Sequence, residues 1–363
     1  MNSTIPLGSV VEIRGGGTPS RSVETYWGGP IPWATVKDFK STRLDTTQES
    51  ITQEGVANSA TNVIPAGSII VPTRMAVGKA AINLIDLAIN QDLKALLPRN
   101  DVDRQFLLHF LLSKAEFLEG RAEGATVKGI KLSLLRSLEF PDLSLKEQQR
   151  IAGILDKAND IKRKREKALE MSDKLLRATF LQMFGDPVLN TKQLPTIALG
   201  DLIKVSSGNG LTARNMAHNG LYPVYGGNGI NGYHSDYMFE ESQIVIGRVG
   251  VYCGAVHVSK PKAWVTDNAL YVREYKHPVN QTYLEWALRF ANLNQYAGRA
   301  AQPLISGGRI YPIEIVLPDE NAQQGFSDFV ARQSAMIANL TATSHEANVL
   351  FKSLSQRAFR CEL

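Results

Sequence analysis

The stretch EQQRIAGILDKANDIKRKREKALEMSDKLLRATF, residues 147–180, decides how this chain is built. Within it Ile151, Ile154, Ala158, Ile161, Arg165, Ala168, Ser172, Leu175 and Thr179 are spaced alternately by three and four. An average of ~3.5 residues is the period of a helix that buries one stripe against another helix. A second such set closes the chain: Phe326, Val330, Gln333, Ile337, Leu340, Ser344, Ala347, Phe351, Leu354 and Ala358. A long helix with a single apolar stripe owes most of its stability to burying that stripe. The two helices are therefore expected to pack on each other, antiparallel, as an imperfect coiled coil. The other reading, in which each helix packs only on its own domain, stays open. The first helix, over about 146–183, would be roughly 55 Å long at ~1.5 Å per residue.

Working outward, the chain repeats itself. Ile5-Pro6-Leu7-Gly8 matches Ile197-Ala198-Leu199-Gly200 at an offset of 192. Five later pairs keep the same order at offsets of 174 to 180. Residues 68–74, ending in Arg74, match 242–248, ending in Arg248. Residues 102–107 match 279–284, and Gly120-Arg121-Ala122 matches Gly298-Arg299-Ala300. Gln148-Gln149 matches Gln323-Gln324, and Arg177-Ala178 matches Arg357-Ala358. Six collinear pairs indicate a tandem duplication. Each half opens with short β-rich runs punctuated by Gly, Pro and Asn, as at 15–17, 27–30 and 226–229. A helical patch follows (104–119, 281–295), then a strand ending in proline (138–141, 313–318), then the long helix. The expected fold is a two-domain α/β (α+β) protein with pseudo-two-fold symmetry. The expected domains are 1–145 and 185–320, with helices over 146–184 and 321–363.

Composition narrows the function classes. The 363 residues carry 40 Lys and Arg against 35 Asp and Glu, so the net charge is only +5. Polyanion binding is permitted, not demanded. Two cysteines far apart, Cys253 and Cys361, exclude a disulfide framework and a zinc site on paired thiols. Residues 1–8 show no basic segment followed by an apolar core, so no signal peptide is expected there. The longest apolar runs, such as 68–71 and 243–246, are strand-length, far from the ~20 residues of a membrane span. A cytoplasmic protein without membrane contact is expected.

Several local motifs carry a resemblance. Pro141-Asp142-Leu143 leading into Lys146-Glu147-Gln148-Gln149-Arg150-Ile151 resembles the start of the central conserved helix in specificity subunits of type I restriction–modification systems. Phe180-Leu181-Gln182-Met183-Phe184-Gly185-Asp186-Pro187 resembles the end of that helix. The segment 222–233, YPVYGGNGINGY, is similar to one common in the family's target recognition domains. Gly29-Pro30-Ile31-Pro32-Trp33 with Lys37-Asp38 resembles its first-domain counterpart. Arg357-Ala358-Phe359 with Glu362-Leu363 resembles the family's closing residues. The resemblance covers the whole chain, with one departure: Asn321-Ala322-Gln323-Gln324 is a degraded second copy of the glutamine motif, which leaves the boundary of the second helix open. It implies a subunit without chemistry of its own, whose two target recognition domains each read half of a bipartite double-stranded DNA site. It also implies that the helices set the gap and carry two methyltransferase subunits, and that restriction subunits can join. S-adenosylmethionine, ATP and magnesium would sit on those partners, with no cofactor or metal on this chain.

Physical reasoning allows this independently. A duplicated chain does alone what a two-fold dimer does, and dimeric readers place two elements ~34 Å apart on DNA. Because the halves have diverged, the half-sites need not be palindromic. Residues 146–177 carry ten basic and six acidic side chains. The run Lys162, Arg163, Lys164 and Arg165 is densest, and suits either phosphates of an unread spacer, a solvated face or acidic partners. Base edges are read by Arg, Lys, Asn and Gln in particular. The first-domain candidates are Thr18, Ser20, Arg21, Lys37, Lys40, Arg43, Arg74 and Lys79. Those in the second are Arg214, Asn228, Asn231, Tyr233, His234, Arg248 and Lys260. Arg74 and Arg248 are expected at matching positions, suiting either DNA contact or a duplicated ion pair.

Two catalytic readings and an interaction scaffold stand beside this one. Residues 227–232 spell G-x-G-x-x-G, but no helix has room to follow before 243–246, as a dinucleotide site requires. Asp142 with Asp160 and Lys162 has nuclease-like spacing, yet the carboxylates of a metal nuclease must converge. The six histidines, among them His109, show no metal-ligand spacing. The alternatives kept are a scaffold or inhibitor that retained the fold without reading DNA and, second to it, a metal-dependent nuclease.

Overall fold

The computed structural model describes residues 3–359 and 362, apart from 125, 218 and 299–302. Its chain forms two compact units, Met1–Glu166 with Ala342–Leu363, and Lys167–Thr341. Each unit therefore takes part of both long helices, in addition to one globular segment.

The first unit carries β1 (Thr4–Pro6), β2 (Val11–Gly15), β3 (Trp27–Ala34), β4 (Arg43–Leu44), β5 (Glu49–Ile51), β6 (Val63–Ile64), β7 (Ile69–Pro72), β8 (Ala81–Asn83), β9 (Leu87–Ile89), β10 (Leu93–Pro98) and β11 (Glu139–Pro141). They form three sheets, ordered β1-β11, β2-β10-β7-β8-β4 and β5-β3-β9-β6. Strands β7, β8 and β9 are buried at every residue. Covered on both faces, β7 and β9 read as continuous apolar runs instead of alternating ones.

The second unit carries β12 (Thr196–Ala198), β13 (Ile203–Ser207), β14 (Tyr222–Gly226), β15 (Gly229–His234), β16 (Ile244–Gly247), β17 (Val256–Val258), β18 (Trp264–Val265), β19 (Ala269–Tyr275) and β20 (Glu314–Val316). Its sheets are β12-β20, β13-β19-β16-β17 and β15-β14-β18. The duplication is visible in this topology. The order β13-β19-β16-β17 repeats β2-β10-β7-β8. Strand β3 pairs antiparallel with β5 and parallel with β9, as β14 does with β15 and β18.

The repeat extends to single hydrogen bonds. Helix Arg104–Ser113 is capped by Asp103 and helix Gln281–Phe290 by Asn280. The buried Gln148 side chain accepts from the Asp103 N–H at 2.9 Å and donates to the Leu143 carbonyl at 2.9 Å. Gln323 accepts from the Asn280 N–H at 2.8 Å and donates to the Pro318 carbonyl at 2.8 Å. The degraded second motif has thus kept the glutamine that ties its helix to its domain, and that helix begins at Glu320.

Both long helices, Leu145–Phe184 and Glu320–Phe359, run for 40 residues. In the first unit Ile151 and Leu155 share a core with Phe106, Phe110, Leu354 and Ala358. Arg165 there donates to the Thr343 carbonyl. In the second unit Phe180 and Leu176 share a core with Tyr283, Phe326 and Val330. Within each unit residue numbers rise along one helix as they fall along the other, so the pairing is antiparallel. Each helix end also belongs to a domain core, but the helices share those cores with each other, so the reading in which each packs only on its own domain does not hold.

The seam on the second helix lies where its spacing put it: Val330, Ile337, Leu340, Phe351 and Leu354 are all half-buried, and Phe326, Ser344, Ala347 and Ala358 are buried. The first helix needs a correction. Ile151, Ala158, Arg165, Ser172 and Thr179 face inward, but the intervening positions fall one residue later than expected. Leu155 is fully buried and Leu176 is 6% exposed, whereas Ile161 is 49% and Leu175 47% exposed. Ile154 and Ala168 are half-buried at the edge of the seam. The sequence offers an apolar residue at either register, and Ile161 is more apolar than Lys162. In the fold Lys162 lays its stem along the seam, its Nζ 5.9 Å from the Phe351 ring centre.

Candidate nucleic-acid interface

Hydrogen bonds fix which residues of the two units correspond. The N–H of Thr73 donates to the Asp92 carbonyl at 2.8 Å, and that of Arg248 to the Asn268 carbonyl at 3.0 Å. The Thr73 carbonyl accepts from Ile130 and the Arg248 carbonyl from Ile305, each at 2.9 Å. Thr73, not Arg74, is therefore the counterpart of Arg248. The expected Arg74–Arg248 match is off by one residue, and in an extended segment a slip of one turns a side chain to the other face. The two arginines accordingly differ. Arg74 is exposed, with Asp92 3.9 Å away. Arg248 is half-buried and donates to Ser207 Oγ at 3.0 Å and to the Asp267 carbonyl at 3.4 Å.

Other first-unit candidates divide in the same way. Arg21 lies 3.7 Å over the Trp27 ring and makes two bonds to Glu49, at 2.5 and 2.9 Å. Its guanidinium holds the Glu49 carboxyl below the usual carboxylate range. This arginine fastens a loop to strand β5. Thr18 donates to Gln91, Ser20 bonds Ser22 at 2.8 Å, and Lys79 donates to the Phe39 carbonyl at 3.4 Å. Lys37 and Lys40 stand exposed on and just past the turn Val36–Asp38, which Thr35 and Asp38 cap reciprocally. Arg43 is exposed on β4, at a cleft of about 620 Å³ that His109, Asp156 and Arg163 also line.

In the second unit β14 and β15 form a hairpin in which Gly226 pairs with Gly229. Asn228 occupies its tip, exposed, and Asn231 and Tyr233 are exposed along β15. The G-x-G-x-x-G letters are thus a hairpin turn. Arg214 is exposed on the turn Ala213–Asn215, and Lys260 is exposed beyond β17. His234 is half-buried, its ring 5.4 Å from that of Trp264.

The basic run on the first helix is split by the seam. Lys162 and Arg165 turn toward the second helix, leaving only Arg163 and Lys164 exposed. Arg163 bonds Asp160 at 3.1 Å. An unbroken strip of four cations facing DNA is therefore not formed.

The nuclease spacing does not converge either. Asp142 accepts from Ser3 before the helix starts, at 3.3 Å. Asp160 sits 15 residues into that helix, which is ~22 Å along its axis. His109 is buried, its Nε2 2.7 Å from Asp156. Cys253 is buried, which pushes its thiol pKa up. Cys361, His218 and the Arg299-Ala300 match lie outside the described residues. Among the described residues no three His, Cys, Asp or Glu side chains are grouped to hold a metal, and no helix is long and apolar enough to cross a membrane. Sequence reading passed over Met75, Val251 and Tyr252, apolar residues that the fold leaves exposed in turns. Their only sequence signal is an apolar residue within four positions of an arginine that follows a strand, with a glycine soon after.

Comparison with known proteins gives the same reading at family level. A family model described as Type I restriction modification DNA specificity domain matches residues 2–171 and 192–347. The type I restriction enzyme EcoprrI specificity subunit of Escherichia coli is 25% identical over 94% of this chain and 89% of its own length. The MjaIX specificity subunit of Methanocaldococcus jannaschii is 30% identical over 56% of this chain and 52% of its own. The crystal structure of a type I restriction–modification S subunit from M. genitalium shares the fold, with a TM-score of 0.66 and 17% identity over 98% of this chain and 96% of that one. With one matched stretch for each repeat, and the two together taking in most of its length, the chain belongs to the type I restriction–modification DNA specificity family.

Proposed function

We propose that this chain is the DNA-reading subunit of a type I restriction–modification complex. Each unit reads one half of a bipartite, asymmetric double-stranded site. The two long helices set the spacing and dock two methyltransferase subunits, which modify an adenine in each half, and restriction subunits join that assembly. S-adenosylmethionine, ATP and magnesium belong to those partners, and this chain contributes recognition without chemistry, in the cytoplasm.

One observation carries the reading. The two units share strand order and single hydrogen bonds, yet display different exposed side chains on that common frame: Arg74, Lys37 and Lys40 in one, Asn228, Asn231 and Tyr233 in the other. A scaffold kept constant while its exposed residues diverge suits two modules that read different sequences. Methylome sequencing of the native host with and without the gene tests this. A bipartite adenine-methylated motif should disappear on deletion; an unchanged methylome would count against DNA reading and favour an interaction scaffold.

A further inference from the structure

Both units present apolar side chains to solvent at the same place in the fold. In the first, the chain leaves β7, passes Thr73 and Arg74, and reaches Met75, which has φ +67° and is 69% exposed. In the second it leaves β16, passes Arg248 and Val249, and reaches Gly250 at φ +73°. Val251 and Tyr252 follow, 91% and 50% exposed. The match is set by backbone bonds: the N–H of Met75 donates to the Lys128 carbonyl at 3.1 Å and that of Gly250 to the Pro303 carbonyl at 3.2 Å.

A left-handed backbone favours glycine and is unfavourable for a residue with a long side chain. The first unit nevertheless places methionine there, and the side chain buries little in return. Folding alone does not account for this choice. The surroundings suit a polyanion: Arg74 precedes Met75, Lys128 supplies the carbonyl that its N–H meets, and both basic residues are exposed. In the second unit a methyl group on Gly227 would stand 3.8 Å from Tyr252 Cβ, so this turn adjoins the hairpin tip that carries Asn228.

We propose that the two turns are apolar base contacts, Met75 for one half-site and Val251 with Tyr252 for the other. Each packs on a thymine methyl group in the major groove, the one apolar surface that a base pair displays there. Beside the first turn, Arg74 and Lys128 hold the phosphates. This rests on the DNA-reading function proposed above.

The test uses the chain co-expressed with its methyltransferase subunits, on duplexes carrying the motif found in the methylated genome. Met75→Gly relieves the backbone, so its melting temperature should match or exceed that of the parent. Its binding to the cognate duplex should weaken about four- to fifteenfold, from the loss of one or two buried carbons. A scrambled duplex should be bound as before. Replacing the contacted thymine of the first half-site with uracil should weaken the parent similarly and leave Met75→Gly unaffected. Val251→Ala with Tyr252→Ala should do the same in the second half-site only. Unchanged discrimination in these variants, with normal selectivity in the parent, overturns the inference and leaves the function standing. Lost subunit assembly with intact discrimination assigns the turns to a protein contact and also overturns it. A parent complex with no sequence selectivity overturns the proposed function and the inference together.

Discussion

Gln148 and Gln323 show what single side chains do in this protein. Each is buried and ties the N-terminus of a capped repeat helix to the chain that enters a long helix. Removing the amide unpairs a backbone N–H and one carbonyl at Gln323, and a backbone N–H and two carbonyls, those of Asp101 and Leu143, at Gln148, which costs about 1–3 kcal/mol. Gln148→Ala and Gln323→Ala should each lower stability by that amount in urea denaturation, Gln148→Ala by at least as much because of its further bond to Asp101; no loss at either site would count against the tie. His257 predicts a pH dependence. Burial pushes its pKa below the ordinary 6.5, more than the Gly227 carbonyl raises it, and Arg289 lowers it further. The folded state thus favours neutral imidazole, while the unfolded chain takes up a proton near pH 6.5. The stabilisation is complete above that pH and is lost as pH falls through the lower folded value. The melting temperature should decline below pH 6.5, and His257→Gln should remove that part of the slope. Glu49 and Glu147, whose pKa values are lowered by Arg21 and Arg150, act only below their ordinary 4.5, so the windows separate.

At the scale of elements, the helix seam is the sharpest case. The period of the first helix is plain in its letters, but its phase is not, because both candidate registers offer apolar residues. Packing chose Leu176 over Leu175. Leu176→Ala should cost about 2–4 kcal/mol and Leu175→Ala less than about 1, since only the first empties a packed site. Equal losses would place the seam where the spacing alone put it. The strands hold a related case. Trp33 on β3 lies opposite Ala88 on β9, and its indole donates to the Gly17 carbonyl at 3.0 Å. In the second unit Trp264 stands on β18, opposite Val224 on β14, and donates to the Asn209 carbonyl at the same distance. The tryptophan has changed strands while its bond has stayed. Comparing the two halves letter by letter misses that equivalence, because the fold conserves a place in space instead of a place in the chain.

At the scale of the whole molecule, two 40-residue helices, ~60 Å each, join the repeats. Inserting one heptad into both keeps the seam in phase and adds ~10 Å, equivalent to about three base pairs at ~3.4 Å per step. The methylated motif should gain about three unread base pairs and keep both half-sites. An unchanged gap would show that the helices do not set the spacing.

The sequence by itself determined the periodic and the collinear features: two long amphipathic helices, two copies of one strand-and-helix plan, glutamines at matching helix starts, and the family. Such features depend on spacing along the chain, which the letters record directly. It also marked Asn228, Asn231 and Tyr233 as candidates, by residue type, in a Gly-rich segment. Only the tertiary structure decided which seam phase is buried and that Lys162 and Arg165 turn inward. It likewise decided that Thr73 and not Arg74 corresponds to Arg248, and that Arg21 is spent on Glu49 and Trp27. Each of these turns on a shift of one residue or on a partner distant in the chain. A one-residue shift rotates a side chain by ~100° on a helix and reverses it on a strand. Composition and local pattern barely change under that shift, whereas packing changes completely.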